Sequence, residues 1–189
     1  DLLAQDIALS FRQAQIFGSS VVGTKSAGSA AFGAYGLHFE ESSDQYNYAY
    51  LLFADLASDG GISDYIYNGS SPYTSSDPSD EAKSFCSKPR LGEECLQKFV
   101  ITDLNKVKFL CKNFVEAGPI EDRVDKCKDP GKQISKLDVV FKRPNLDAHF
   151  STNGAKDSGI SNIGIVLESP KGDYYKTVVV WKTGQISVE

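Results

Sequence analysis

Residues 2–18 read LLAQDIALSFRQAQIFG, and this stretch decides how the rest of the chain is read. Leu3, Ile7, Phe11 and Ala14 recur at spacings of three and four, which puts them on one stripe of an α-helix. Such a stripe needs an apolar surface to cover. The helix is expected to end near Gly18, where the small residues of GSSVVGTKSAGSAAFG begin a loop. The chain contains no Met, so residue 1 is not expected to be a translation start.

Outward from the helix the pattern changes from helical to alternating. AYGLHFE and QYNYAYLLFAD, with ESSD as the turn, predict a hairpin over residues 34–40 and 45–54. The stretch from Gly60 to Asp80 is rich in turn formers and Tyr, and reads as an ordered surface loop. CLQKFVI and NKVKFLC predict a second pair of strands, and the polar segment between Cys111 and Pro130 an irregular excursion. KLDVVFK alternates like a half-buried strand, and NIGIVLES, YYKTVVVW and GQISVE follow, with PKGD and KTG as tight turns. One helix followed by strands without βαβ repetition predicts α+β, with the helix packed on an antiparallel sheet in one domain over residues 1–189.

The 189 residues suffice for one domain with its own core, and no apolar run reaches the ~18 residues a membrane span needs. A net charge of −5 argues against a general nucleic-acid binder. The charge is uneven. Residues 1–80 hold two basic and ten acidic residues, whereas residues 98–143 hold eleven basic and seven acidic ones. The plain reading is a solvated surface; the sharper one is that one subunit's acidic part meets the next subunit's basic part.

Cys86, Cys95, Cys111 and Cys127 allow three pairings. Their spacing lacks the short C-x2-4-C knuckle of zinc sites. Local loops, Cys86–Cys95 and Cys111–Cys127, are the preferred pairing and imply an oxidising, extracytoplasmic location.

Motifs for catalysis are few. His38 and His149 each lie in a strand segment beside Phe, without a partner motif. Lys182-Thr183-Gly184 matches one element of penicillin-binding enzymes, but the Ser-x-x-Lys nucleophile is missing, so it reads as a turn. No G-x-S-x-G, H-E-x-x-H, P-loop or dinucleotide fingerprint occurs, so no catalytic residue is assigned. Asp55, Asp59 and Asp64 form a weak calcium candidate: Asp55, Asp59 and Gly60 fit positions 1, 5 and 6 of an EF-hand-type loop, but Ala57 and Ile66 occupy ligand positions. No metal or other cofactor is therefore assigned. Asn68-Gly69-Ser70 matches the glycosylation sequon.

Taken in order, these segments resemble a type IV pilin or type II secretion pseudopilin of the H-type minor branch. LLAQDIALSFRQAQIFG resembles the second half of the long pilin helix, and YGLHFE with YAYLLFAD the first hairpin of that branch. KLDVVFKRPNLDAHF resembles its strand with an F-K-R-P corner at residues 141–144, and IGIVLESPKGDYYKTVVVWKTGQISVE its closing strands. The resemblance implies a pilin fold, with residues 1–18 as the second half of the helix and residues 34–189 as a mainly β head.

It further implies a precursor with a basic leader cut and methylated by a prepilin peptidase, and an apolar half-helix upstream of Asp1. That half would hold the subunit in the inner membrane before assembly and lie in the filament core afterwards. The implied function is structural, in an extracellular pilus or secretion pseudopilus, with other subunits as partners and no small-molecule substrate. Some relatives of this branch bind DNA through a basic C-terminal region. Here the basic segment lies elsewhere, and Lys126, Lys128, Lys132, Lys136, Lys142 and Arg143 are the weak nucleic-acid candidates. The alternatives are a cell-surface adhesion head presenting Tyr65, Tyr67 and Tyr73, and a secreted hydrolase whose site is assembled from scattered residues.

Overall fold

The computed structural model describes residues 2–20, 23–26, 29–41, 49–55, 64–69, 94–102, 105–115 and 117–189. The apolar stripe of residues 2–18 forms α1 (Leu2–Ser19), which buries Ala4, Ile7, Ala8, Phe11 and Ala14 and half-buries Leu3. It does not cover one sheet. It lies against two.

The first sheet has six antiparallel strands in the order β10-β9-β8-β3-β4-β5. These are β3 (Ala34–Glu40), β4 (Ala49–Asp55), β5 (Cys95–Val100), β8 (Lys136–Phe141), β9 (Ala148–Thr152) and β10 (Ala155–Lys156). The second has five in the order β13-β12-β11-β6-β7, from β6 (Lys106–Lys112), β7 (Gln133–Ile134), β11 (Asn162–Glu168), β12 (Tyr175–Trp181) and β13 (Ile186–Val188). A separate hairpin joins β1 (Gly23–Ser26) to β2 (Ser29–Phe32). The one other helix among the described residues is α2 (Ile120–Cys127).

The expected α+β pilin fold, a helix on one antiparallel sheet, is therefore overturned. The protein is mostly β, built on two antiparallel sheets. The physical reason is visible in strand burial. β8, expected to be half-buried, is buried at every position from Leu137 to Phe141, and β11 along its whole length. Inward residues such as Leu37, Val139 and Phe150 meet Ile163, Ile165 and Val180 of the other sheet, with Phe11 of α1 in the same core. Outward residues are covered by other parts of the chain.

Three further expectations fail. CLQKFVI and NKVKFLC are not partners: β5 pairs with β4 and β6 with β11, in different sheets. The segment between Cys111 and Pro130 contains α2, and the loop after Gly18 contains β1 and β2. The two strands of the first expected hairpin do pair antiparallel, with Leu37 opposite Leu52; the second runs Ala49–Asp55 rather than 45–54, and residues 42–48, with most of the ESSD turn, lie outside the described residues.

Two clasps fix α1 to the rest. Arg143, at the corner after β8, donates through Nε to the Ser19 carbonyl. At the other clasp, Gln15 Nε2 donates to the Gly184 carbonyl at 2.6 Å. Gly184 has φ of 82° in the turn joining β12 and β13, and a Cβ there would run into the Leu146 carbonyl.

Candidate functional site

One face of α1 is covered, and the opposite one carries a single apolar row among Gln5, Arg12 and Gln13. Leu2, Leu9 and Ile16 are 81%, 58% and 63% exposed. They recur every seven residues, which on a 3.6-residue helix keeps them on one outward seam. Singly, an exposed Leu needs no explanation; three in a row along one helix form a feature. The seam continues sideways into a groove of about 740 Å³ between α1 and the edge of the six-stranded sheet, lined by Leu2, Leu9, Tyr50, Lys98, Phe99 and Val100. At this edge Leu96 and Val100 are 39% and 41% exposed.

One wall of the groove is aromatic. Phe39, Tyr50 and Phe99 stack in series with ring centroids 5.1 and 4.8 Å apart. Tyr50 Oη lies 3.1 Å from Ser10 Oγ of α1, and burial pushes its pKa up to about 12. Asp6, Gln13 and Asn105 also line the groove, so the described part of the molecule offers a mixed apolar and polar contact surface beside the helix.

The outer face of the six-stranded sheet carries the buried polar groups. Residues 64–69 run across it as a strap. The Tyr65 N–H donates to Asp55 Oδ2 at 2.8 Å, and the Asn68 N–H to Glu94 Oε2 at 2.7 Å. The Tyr67 N–H donates to Asp138. Tyr67 packs its ring on Phe53 and on His38, whose centroid is 4.7 Å away. His38 Nδ1 lies 2.7 Å from Asp138 Oδ1, and Nε2 faces Glu40 at 3.7 Å. A His oriented by an Asp is half of a familiar catalytic unit. Here its second nitrogen faces a carboxylate and its ring lies against Tyr67.

The proposed site residues therefore separate. Of the calcium candidates, Asp55 accepts from Tyr65, Asp64 accepts from the Ile66 N–H at 3.0 Å and from Asn68 Nδ2 at 2.9 Å, and Asp59 lies outside the described residues. Among the described residues no group of three or more His, Cys, Asp or Glu is placed to hold a metal ion. Tyr65 is half-buried and stacked on His149, Tyr67 is buried, and Tyr73 lies outside the described residues. Of the three tyrosines of the adhesion reading, Tyr67 is thus covered by its neighbours.

The nucleic-acid candidates do not form one patch. Lys126, Lys128 and Lys132 lie on or just after α2, beside the five-stranded sheet. Lys136 pairs with Glu40 at 2.8 Å at one end of β8, and Lys142 lies past the other end. Arg143 is spent on α1.

Cys111 and Cys127 are bonded, and the bridge ties α2 to β6. Cys95 is also disulfide-bonded; Cys86, the partner expected for it, lies outside the described residues. Val124 and Cys127 of α2 pack on Val166 and Val179. Arg123 pairs with the Glu189 side chain. Sequence reasoning missed α2 and the strap. The signal for α2 was present: Ile120, Val124 and Cys127 repeat at helical spacing after Pro119, with Glu121 and Asp122 in the first turn.

The fold and this surface define a mainly β, two-sheet protein with a bridging helix and an apolar outward seam. No protein-family model, no curated protein and no solved structure matches the chain. Among the described residues no helix is long and apolar enough to cross a membrane.

Proposed function

We propose that this chain is a non-catalytic structural subunit that assembles with further copies, or with related subunits, through the outward seam of α1. The observation that carries the reading is the heptad-spaced exposure of Leu2, Leu9 and Ile16 on a helix whose other face is buried. A helix with an apolar row opposite its buried face suits a position between its own domain and a neighbouring helix. The groove beside it extends that surface, and the uneven charge of the chain gives neighbouring heads complementary partners.

The resemblance of the sequence segments supports an extracellular assembly of the type IV pilus or type II secretion pseudopilus kind. On that reading the subunit is anchored in the inner membrane before incorporation, through an apolar half-helix upstream of Asp1.

The test is sedimentation of the chain over a range of concentrations, beside a Leu9→Glu/Ile16→Glu variant. Both positions are solvent-facing, so the variant is expected to keep the wild-type thermal midpoint. Wild type should self-associate with rising concentration and the variant should sediment as a monomer. A monomeric wild type, or a variant that associates equally well, overturns the proposal.

A further inference from the structure

Tyr65 has φ of 62°, a conformation that a bulky L-residue holds only where its surroundings force it. Both of its main-chain groups are fixed. The N–H donates to Asp55 at 2.8 Å and the carbonyl accepts from Ser151 Oγ at 2.8 Å. This constraint sets the position of the ring. The ring lies 4.2 Å from that of His149 at an interplanar angle of 5°. Lys156 Nζ sits 4.4 Å from its centroid and Lys142 Nζ 5.8 Å, so the two ammonium groups are no more than about 10 Å apart. Lys182, just past β12, donates to the Ser158 carbonyl at 3.4 Å, and its charge also bears on His149.

These groups come from separate elements: Lys142 follows β8, His149 is in β9, Lys156 in β10 and Lys182 after β12. Lys106, Lys108, Lys112, Lys128 and Lys136 each pair with a carboxylate. Lys142 and Lys156 have no such pair, as is also true of Lys126, Lys132, Lys171 and Lys176 among the described residues, but only Lys142 and Lys156 converge on one aromatic ring; Asp147 is the carboxylate whose charge bears on His149. Gathering like charges raises the energy of the empty cluster and prepares it for an anion.

We propose that Lys142, Lys156 and His149, arranged around Tyr65, form a binding site for a tetrahedral oxyanion of the phosphate or sulfate class. Ammonium groups act as adaptable point charges around such an ion, whereas a planar carboxylate is matched by the fork of an Arg. An imidazole supplies one further donor. Tyr65 serves as scaffold: its ring already carries His149 and the lysines. Lys156 is exposed, so the oxyanion can be free or borne on a larger molecule as an ester. The site lies on the outer face of the sheet, whereas α1 packs on the inner face, so it stands independently of the assembly proposal.

The readout is the titration of His149. Burial holds its pKa below the ordinary imidazole value, the charges of Lys156, Lys142 and Lys182 add to this, and Asp147 opposes it. An oxyanion among the lysines reverses their effect. The His149 ring signals should be followed by NMR against pH in inorganic phosphate, in sulfate and in chloride at equal ionic strength.

Phosphate and sulfate should raise the midpoint while chloride does not, and the buried His38 should stay where it is. A Lys142→Gln/Lys156→Gln variant should keep the wild-type thermal midpoint but lose the shift, and a Lys171→Gln/Lys176→Gln control should retain it. A sugar phosphate and a sugar sulfate form a second arm. A shift reached at lower concentration than with the inorganic ions identifies an ester ligand, and an equal response identifies the free ion; both support the site. An equal shift in chloride, or its persistence in the Lys142→Gln/Lys156→Gln variant, overturns the proposal.

Discussion

His38 and Asp138 face each other across β3 and β8, with Nδ1 2.7 Å from Oδ1, in a place where both residues are almost wholly excluded from water. Burial pushes the His38 pKa down, but Asp138 and Glu40 more than offset it and the net direction is up. Burial also lifts Asp138, against the opposing effects of His38 and the Tyr67 N–H. Both shifts have the same consequence: the folded protein holds these protons more tightly than the unfolded chain does. Their stabilisation is full below the ordinary values and is lost as pH rises through the raised ones. The part of the thermal midpoint that His38 contributes should therefore fall as the pH goes from about 6 to about 8, where imidazole titrates, while His149, whose pKa is lowered, contributes in the opposite sense. The difference between the wild-type profile and that of a His38→Gln variant isolates the His38 part, and identical profiles for the two proteins would count against the coupling.

Phe11 is the residue through which α1 holds the core. It is fully buried, and its ring lies 5.9 Å from Phe39 and 6.5 Å from Phe141. Phe11→Ala should cost about 3–5 kcal/mol, the usual range for deleting a buried ring. Chemical denaturation measures this directly. A loss below about 1 kcal/mol would mean that the helix does not dock where it is described.

The bridge between Cys111 and Cys127 closes a loop with a sequence separation of 16. Replacing both by Ala should cost about 2–4 kcal/mol, with the loss centred on α2 and the Arg123–Glu189 pair. Hydrogen exchange should report faster opening of Ile120–Cys127 than of β8. Uniform protection in the variant would rule out a local role for the bridge.

The strap depends on carboxylates that accept main-chain N–H groups. Glu94→Ala removes the acceptor of the Asn68 N–H and should cost about 1–3 kcal/mol. Glu94→Gln keeps an acceptor oxygen and should cost less. Limited proteolysis within residues 64–69 should rank the variants in the same order, and equal cutting of both would defeat the explanation.

How far the sequence foretold this follows from what each pattern encodes. The 3.6-residue period of Leu3, Ile7, Phe11 and Ala14 announced α1, alternation announced the paired strands Ala34–Glu40 and Ala49–Asp55, and the turn residues announced the strand pairs over 162–188, because these signals are local. Sheet membership is not local. β5 and β6 are neighbours in sequence, yet they join different sheets, and alternation shows which side chains are buried but not which strand lies alongside. The outer layers were hidden for another reason. His38 and Asp138 are 100 positions apart and become meaningful only through register, and the strap is short and polar. Leu9 and Ile16 looked like ordinary helix residues because periodicity does not tell a covered face from an open one.

The way α1 is seated also has a mechanical side. From Ala4 to Gly18 its buried face spans about 20 Å, and it is held against both sheets rather than along the rim of one. A pull along the helix axis must slide Ile7, Phe11 and Ala14 past their neighbours together, and must break the Gln15 and Arg143 clasps at the same time. Such loading is shared in parallel, whereas peeling would break contacts one after another. Tension applied at the N-terminal end is therefore delivered to the whole sandwich, and the helix works as a handle set into the body of the protein.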